Sequence, residues 1–112
     1  MSTERFNAYR IMWVFVFFDL PVVTKKEMRI ANLFRKNLKR DGFTMFQYSI
    51  YTRCCASIEN AEVHTKRVKS FLPETGHVVV FQITDRQFGL IEVFYQSKAK
   101  KAQTEPQQLE LF

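Results

Sequence analysis

The chain has 112 residues, 46% of them hydrophobic and 25% charged, with 3 Gly and 3 Pro, a profile of one globular domain that excludes disordered and fibrous classes. Its 17 Lys and Arg against 11 Asp and Glu leave a net charge of +6, which favours polyanions such as nucleic acid. This length excludes a second core and a large active-site cavity, while 12 Phe are more apolar bulk than so small a monomer can bury, so a homo-oligomer is expected.

Ile11 to Phe18 is an unbroken β-branched and aromatic run without helical spacing, as in a central strand buried on both faces. At eight residues the run is far shorter than the ~20 a membrane span needs, and no small-residue cleavage site follows it. No membrane association is therefore expected. The adjacent Cys54 and Cys55 cannot readily close an unstrained disulfide, so a reducing, cytoplasmic setting fits.

The strand stops at Asp19-Leu20-Pro21, and Thr24-Lys25-Lys26-Glu27 then has the form of a capping box. A helix is predicted from there to about Arg40, closed by Asp41-Gly42. At 100° per residue Ile30, Ala31, Phe34 and Leu38 share one arc, and Lys25, Arg29, Lys36, Lys39 and Arg40 share the opposite one. That outward basic face suits contact with a phosphate backbone, and it is equally the pattern of an ordinary solvated helix.

From Phe43 to Ala56 the text is β-rich without Gly or Pro, and two strands joined by a tight break near Ser49 are preferred over one bent strand. Glu59 to about Leu72 has helical spacing with Ala61, His64, Val68 and Leu72 inward, until Pro73 and Gly76 break it. Val78 to Thr84 is another strand, Asp85-Arg86-Gln87 a turn, and Leu90 to Tyr95 a last short strand. Beyond Gln96 the tail is too polar to fold alone.

This order specifies an α+β, ferredoxin-like βαββαβ domain with an extra C-terminal strand. Residues 1–95 make one domain with an ordered core from about residue 10 to 95, and 96–112 a flexible tail. Both helices cover one sheet face. The other is left to its aromatic residues, so pairing of two sheets into a homodimer is expected.

No glycine-rich phosphate loop, Cys-x-x-Cys or zinc-spaced His/Cys cluster occurs, and His64 and His77 read as core or surface residues. Cys54 and Cys55 read as strand neighbours, one inward and one outward. The informative residue is Asp19. A carboxylate directly after an apolar strand is well placed to present a functional group, although Asp before Leu-Pro also starts turns. Magnesium takes oxygen ligands, commonly one or two carboxylates with water; a single Asp is thin, and a two-fold dimer would supply two.

Phe17-Phe18-Asp19-Leu20-Pro21, Phe34-Arg35-Lys36, Gly42 to Tyr51 and Ile83-Thr84-Asp85-Arg86-Gln87-Phe88 together resemble, in order and spacing over about residues 11–95, the Cas-two family of CRISPR-associated adaptation proteins. The likeness is nearest to the versions that accompany type II systems. The resemblance implies a ferredoxin-like homodimer that is a metal-dependent endonuclease on RNA or DNA. It also implies a DNA-binding adaptor that bridges dimers of a partner CRISPR integrase during spacer acquisition. Asp19 then matches the catalytic, metal-holding aspartate, one from each protomer around Mg2+, with Mn2+ as the alternative. Tyr48, Ser49 and Tyr51 match a Gln-aromatic-Ser segment near that cleft, although from the residues alone plain packing on the sheet is the preferred reading of Tyr48 and Tyr51. Where some members carry an arginine before this segment, the chain has Met45 and Phe46; loss of that phosphate contact implies a weak or vestigial nuclease, with Arg35 and Arg53 as substitute contacts. The extra strand would cross to the partner protomer.

The tail residues Gln108, Leu109, Leu111 and Phe112 resemble a pentapeptide by which bacterial proteins dock on the DNA polymerase sliding clamp; an anchor on the integrase and an ordinary chain end are the other readings. Among functions, an architectural adaptor for double-stranded DNA is preferred over a phosphodiesterase, since no general base accompanies Asp19. A toxin-like messenger ribonuclease is the third class.

Overall fold

The strand β1 (Met12–Asp19) lies inside a four-stranded antiparallel sheet. A helix α1 (Lys25–Arg40) follows it, then a hairpin of β2 (Thr44–Gln47) and β3 (Ile50–Cys55), a second helix α2 (Ile58–Ser70), and β4 (His77–Thr84). The sheet order β2-β3-β1-β4 is that of the split βαβ fold expected from the sequence. The computed structural model describes residues 11–94. Tyr95, the predicted tail 96–112 and its residues Gln108 to Phe112 lie outside the described residues, as do residues 1–10.

Local signals account for the element boundaries. At the start of α1 the Glu27 N–H donates to Thr24 Oγ1 and the Thr24 N–H to Glu27 Oε1, both at 3.0 Å, the reciprocal capping box read from the sequence. Tyr48 and Ser49 form the tight break between β2 and β3. Alternation along β1 sends Val14, Val16 and Phe18 to the helix side, where they form the core with Ala31, Phe34, Leu38, Tyr51, Ala61 and Val68. Ile30 is only half-buried. Leu72, expected inward, is exposed because α2 ends at Ser70, and Phe71 packs against the core instead.

The other face of β1 carries Trp13, Phe15 and Phe17. Phe15 is the centre of an aromatic cluster, with ring centroids 5.4 Å from Phe81, 5.5 Å from Phe46 and 6.0 Å from Phe88. Among the described residues no helix of the size of α1 or α2 covers this face, as expected, and Phe17, Val79 and Phe81 remain 39%, 55% and 38% exposed. Such an apolar patch is unusual on a soluble monomer.

One expectation is corrected near the C-terminal end. The predicted turn at Asp85 to Gln87 is a short helix, α3 (Asp85–Gly89), opened by a second capping box in which the Gln87 N–H donates to Thr84 Oγ1 at 3.1 Å. It lays Phe88 flat on Trp13, centroids 3.7 Å apart. Leu90 to Phe94, predicted as the bulk of a last strand, have no regular structure. A strand exists only against a partner, and among the described residues the outer edge of β4 is unpaired. Leu90 and Phe94 are accordingly 71% and 82% exposed.

Candidate functional site

Asp19 ends β1 on the uncovered face, continuing the alternation Trp13, Phe15, Phe17. Its side chain is exposed. Its carboxylate has no ion pair or side-chain hydrogen bond among the described residues, and it borders an open depression of about 330 Å³ with Phe17, Ser49, Ile50, His77 and Val79. The turn carrying Ser49 is tied to this strand end by the Phe18 N–H donating to the Ser49 carbonyl at 3.0 Å. Gly76, at φ +91°, packs so closely behind the site that a Cβ there would lie 2.8 Å from the Asp19 carbonyl oxygen. Glycine is required by both conformation and space, a role the sequence showed only as a break.

Oxygen donors suit a hard divalent cation, and Asp19 is an uncommitted carboxylate on the surface. One protomer is not enough: among the described residues, no group of three or more His, Cys, Asp or Glu could hold a metal ion. A second Asp19 related by two-fold symmetry is the arrangement that would fit.

The structure separates the three residues grouped with this cleft. Ser49 borders it. Tyr48 is 68% exposed on the turn, with the Arg35 guanidinium 4.2 Å from its ring centroid and 5.4 Å from that of Phe18, a cation–π stack. Arg35 thus stands at the Asp19 end, half-buried, with Nε buried and unpartnered among the described residues. Tyr51 is corrected as a cleft residue and fits the packing reading: it is 1% exposed, its ring 5.8 Å from Phe18 inside the core. Burial pushes its phenol up, partly offset by Arg35, and its role is packing. A side chain in a strand reverses face with each residue, and Tyr51 falls opposite the inward Val16.

Lys25, Arg29, Lys36, Lys39 and Arg40 are all exposed on α1, opposite the buried Ala31, Phe34 and Leu38. Arg53 is corrected as a phosphate contact. It points to the helix side, where NH1 donates to the Asp41 carbonyl at 3.1 Å over the bare Gly42, and it braces the end of α1. The Asp41 carboxylate meets His64 Nδ1 at 2.8 Å and Arg67 at 3.0 Å, which gives His64 its expected structural role. Cys54 is exposed and Cys55 buried, as alternation predicts. Burial pushes both thiols up, helped at Cys54 by Asp85 and opposed at both by Arg53. None of the described helices is long and apolar enough to cross a membrane.

A family model described as CRISPR associated protein Cas2 matches residues 12–91. The chain is 59% identical over 108 residues to the CRISPR-associated endoribonuclease Cas2 of Flavobacterium psychrophilum, spanning 96% of this chain and 94% of that one. To the protein of the same name from Parvibaculum lavamentivorans it is 52% identical over 101 residues, 90% and 100% of the two chains. A solved structure described as the crystal structure of cas2 aligns with a TM-score of 0.52 at 22% identity, over 76% of this chain and 88% of that one. That likeness bears on the fold.

Proposed function

The chain belongs to the CRISPR-associated Cas2 family, and from that membership we propose that it acts in spacer acquisition as a cytoplasmic homodimeric adaptor holding double-stranded DNA between dimers of a partner integrase. The observation that carries this reading is the pairing of two surfaces on one small domain. The uncovered aromatic face offers Phe17, Val79 and Phe81 for burial against a second copy. The opposite, helical side offers the outward cations of α1, which suit phosphate contact without base reading. In the dimer, Leu90 to Phe94 would find the strand partner they lack among the described residues of one chain.

The endoribonuclease names of the relatives favour a second activity at the same dimer, phosphodiester hydrolysis on RNA or DNA. Asp19 from each protomer would hold a divalent cation, Mg2+ or Mn2+, which when bound lowers the pKa of a water and offsets charge on the phosphate. Arg35, anchored on Tyr48, would hold the phosphate backbone near the cleft. Ser49 shapes the mouth. For the residues Gln108 to Phe112 the candidate roles are docking on a sliding clamp and anchoring on the integrase, and deleting them without loss of clamp binding removes the first.

The test is spacer integration in a reconstituted system with the partner integrase, comparing wild type with Asp19→Ala once both are shown to be dimers. The adaptor reading expects integration to be retained. Loss of integration with DNA binding intact would make Asp19 catalytic and the adaptor reading wrong. A toxin-like messenger ribonuclease predicts instead that expression alone slows growth.

A further inference from the structure

The rung that ends the uncovered face pairs Asp19 with a second donor. β1 and β4 run antiparallel with Phe15 opposite Phe81, Phe17 opposite Val79 and Asp19 opposite His77. Two successive rungs are apolar on both strands, and at the last both residues become polar together. Directly opposed residues share a face with Cβ atoms ~4.5–5.5 Å apart, so carboxylate and imidazole stand side by side over the depression that both border. His77 has no hydrogen bond or ion pair of its side chain among the described residues, and neither has Asp19. Gly76 holds the pair in register, since its left-handed turn against the Asp19 carbonyl sets where β4 begins.

We propose that His77 donates an imidazole nitrogen to the cation held by Asp19, making this a mixed nitrogen–oxygen site that prefers Mn2+ to Mg2+. The inference rests on the reading of Asp19 as a metal ligand. A carboxylate oxygen and a ring nitrogen this close can both reach one ion at ordinary bond lengths, about 2.0–2.2 Å. Magnesium demands oxygen and keeps its waters, whereas imidazole binds transition ions with an affinity that rises along the series from Mn2+. A metal-free aspartate–histidine contact is the competing account of the rung.

The experiment is Mn2+ titration of the full-length protein followed by electron paramagnetic resonance, with Mg2+ as competitor and pulsed spectra of the bound ion. Wild type should show a nitrogen coupling on bound Mn2+. His77→Gln should lose that coupling and weaken Mn2+ binding about tenfold or more while changing Mg2+ binding by less than about threefold. Mn2+ bound without nitrogen coupling in wild type, or an unchanged Mn2+ preference in His77→Gln, overturns the role of His77 while leaving Asp19 as a ligand. Binding that survives Asp19→Asn, or no Mn2+ binding by wild type, removes the Asp19 reading and this inference with it. The wild-type spectrum decides without any variant having to fold.

Discussion

Replacing Lys36 and Arg40 by Gln removes two outward cations of α1 whose side chains are exposed, so the fold should be untouched and any change belongs to DNA binding. If each neutralises one phosphate of a duplex, each contributes about 0.9 to the slope of log affinity against log salt, and the pair about 1.8. At 0.1 M salt that is a loss of roughly 60-fold in affinity, about 2.5 kcal/mol. Fluorescence anisotropy with a short labelled duplex between about 50 and 200 mM salt reads both quantities. Across that range the factor by which affinity falls should be about twelve times larger for wild type than for the variant. An unchanged slope with an unchanged thermal midpoint would refute the assignment and leave α1 as an ordinary solvated helix.

Leu38→Ala empties a fully buried position in the core and should destabilise by about 2–5 kcal/mol, visible in thermal melts as a drop of about 10 °C or more; a near-wild-type midpoint would contradict the packing described. Gly76→Ala forces a side chain to φ +91° at a cost of about 1–2 kcal/mol and into the Asp19 backbone, so urea denaturation and Mn2+ affinity should both worsen; wild-type values of both would remove Gly76 as a support of the site. In the native protein Cys54 is the exposed thiol and Cys55 the buried one. Because the Cys54 thiol is pushed up, less thiolate exists at a given pH. Alkylation at neutral pH should be slower than for a free thiol, rise with pH, and reach Cys55 only on unfolding; fast labelling of both in the folded state would be the contrary result.

Much was legible because it is local. The apolar run to Phe18, the Thr24–Glu27 capping box and the break at Tyr48-Ser49 each act within one turn or strand, and their order carries the ferredoxin-like architecture. The short helix α3 is equally local, because Thr84-Asp85-Arg86-Gln87 is a capping-box sequence within a turn-like composition. Asp19 stood out because a charge ends an apolar strand, and the exposure of the α1 cations followed from helical period alone.

What the tertiary structure decided depends on register between distant segments. Whether Tyr48 or Tyr51 faces the core, and whether Arg53 meets a phosphate or the Asp41 carbonyl, turns on a single residue of strand phase, since neighbouring side chains take opposite faces. The pairing of Asp19 with His77 exists only because β1 and β4 align rung by rung, and Gly76 earns its meaning only from the backbone it touches. The predicted strand at Leu90 to Tyr95 shows the same limit from the other side. Its residues have strand propensity, but a ladder needs a second edge, and over Leu90 to Phe94 the described residues of one chain supply none.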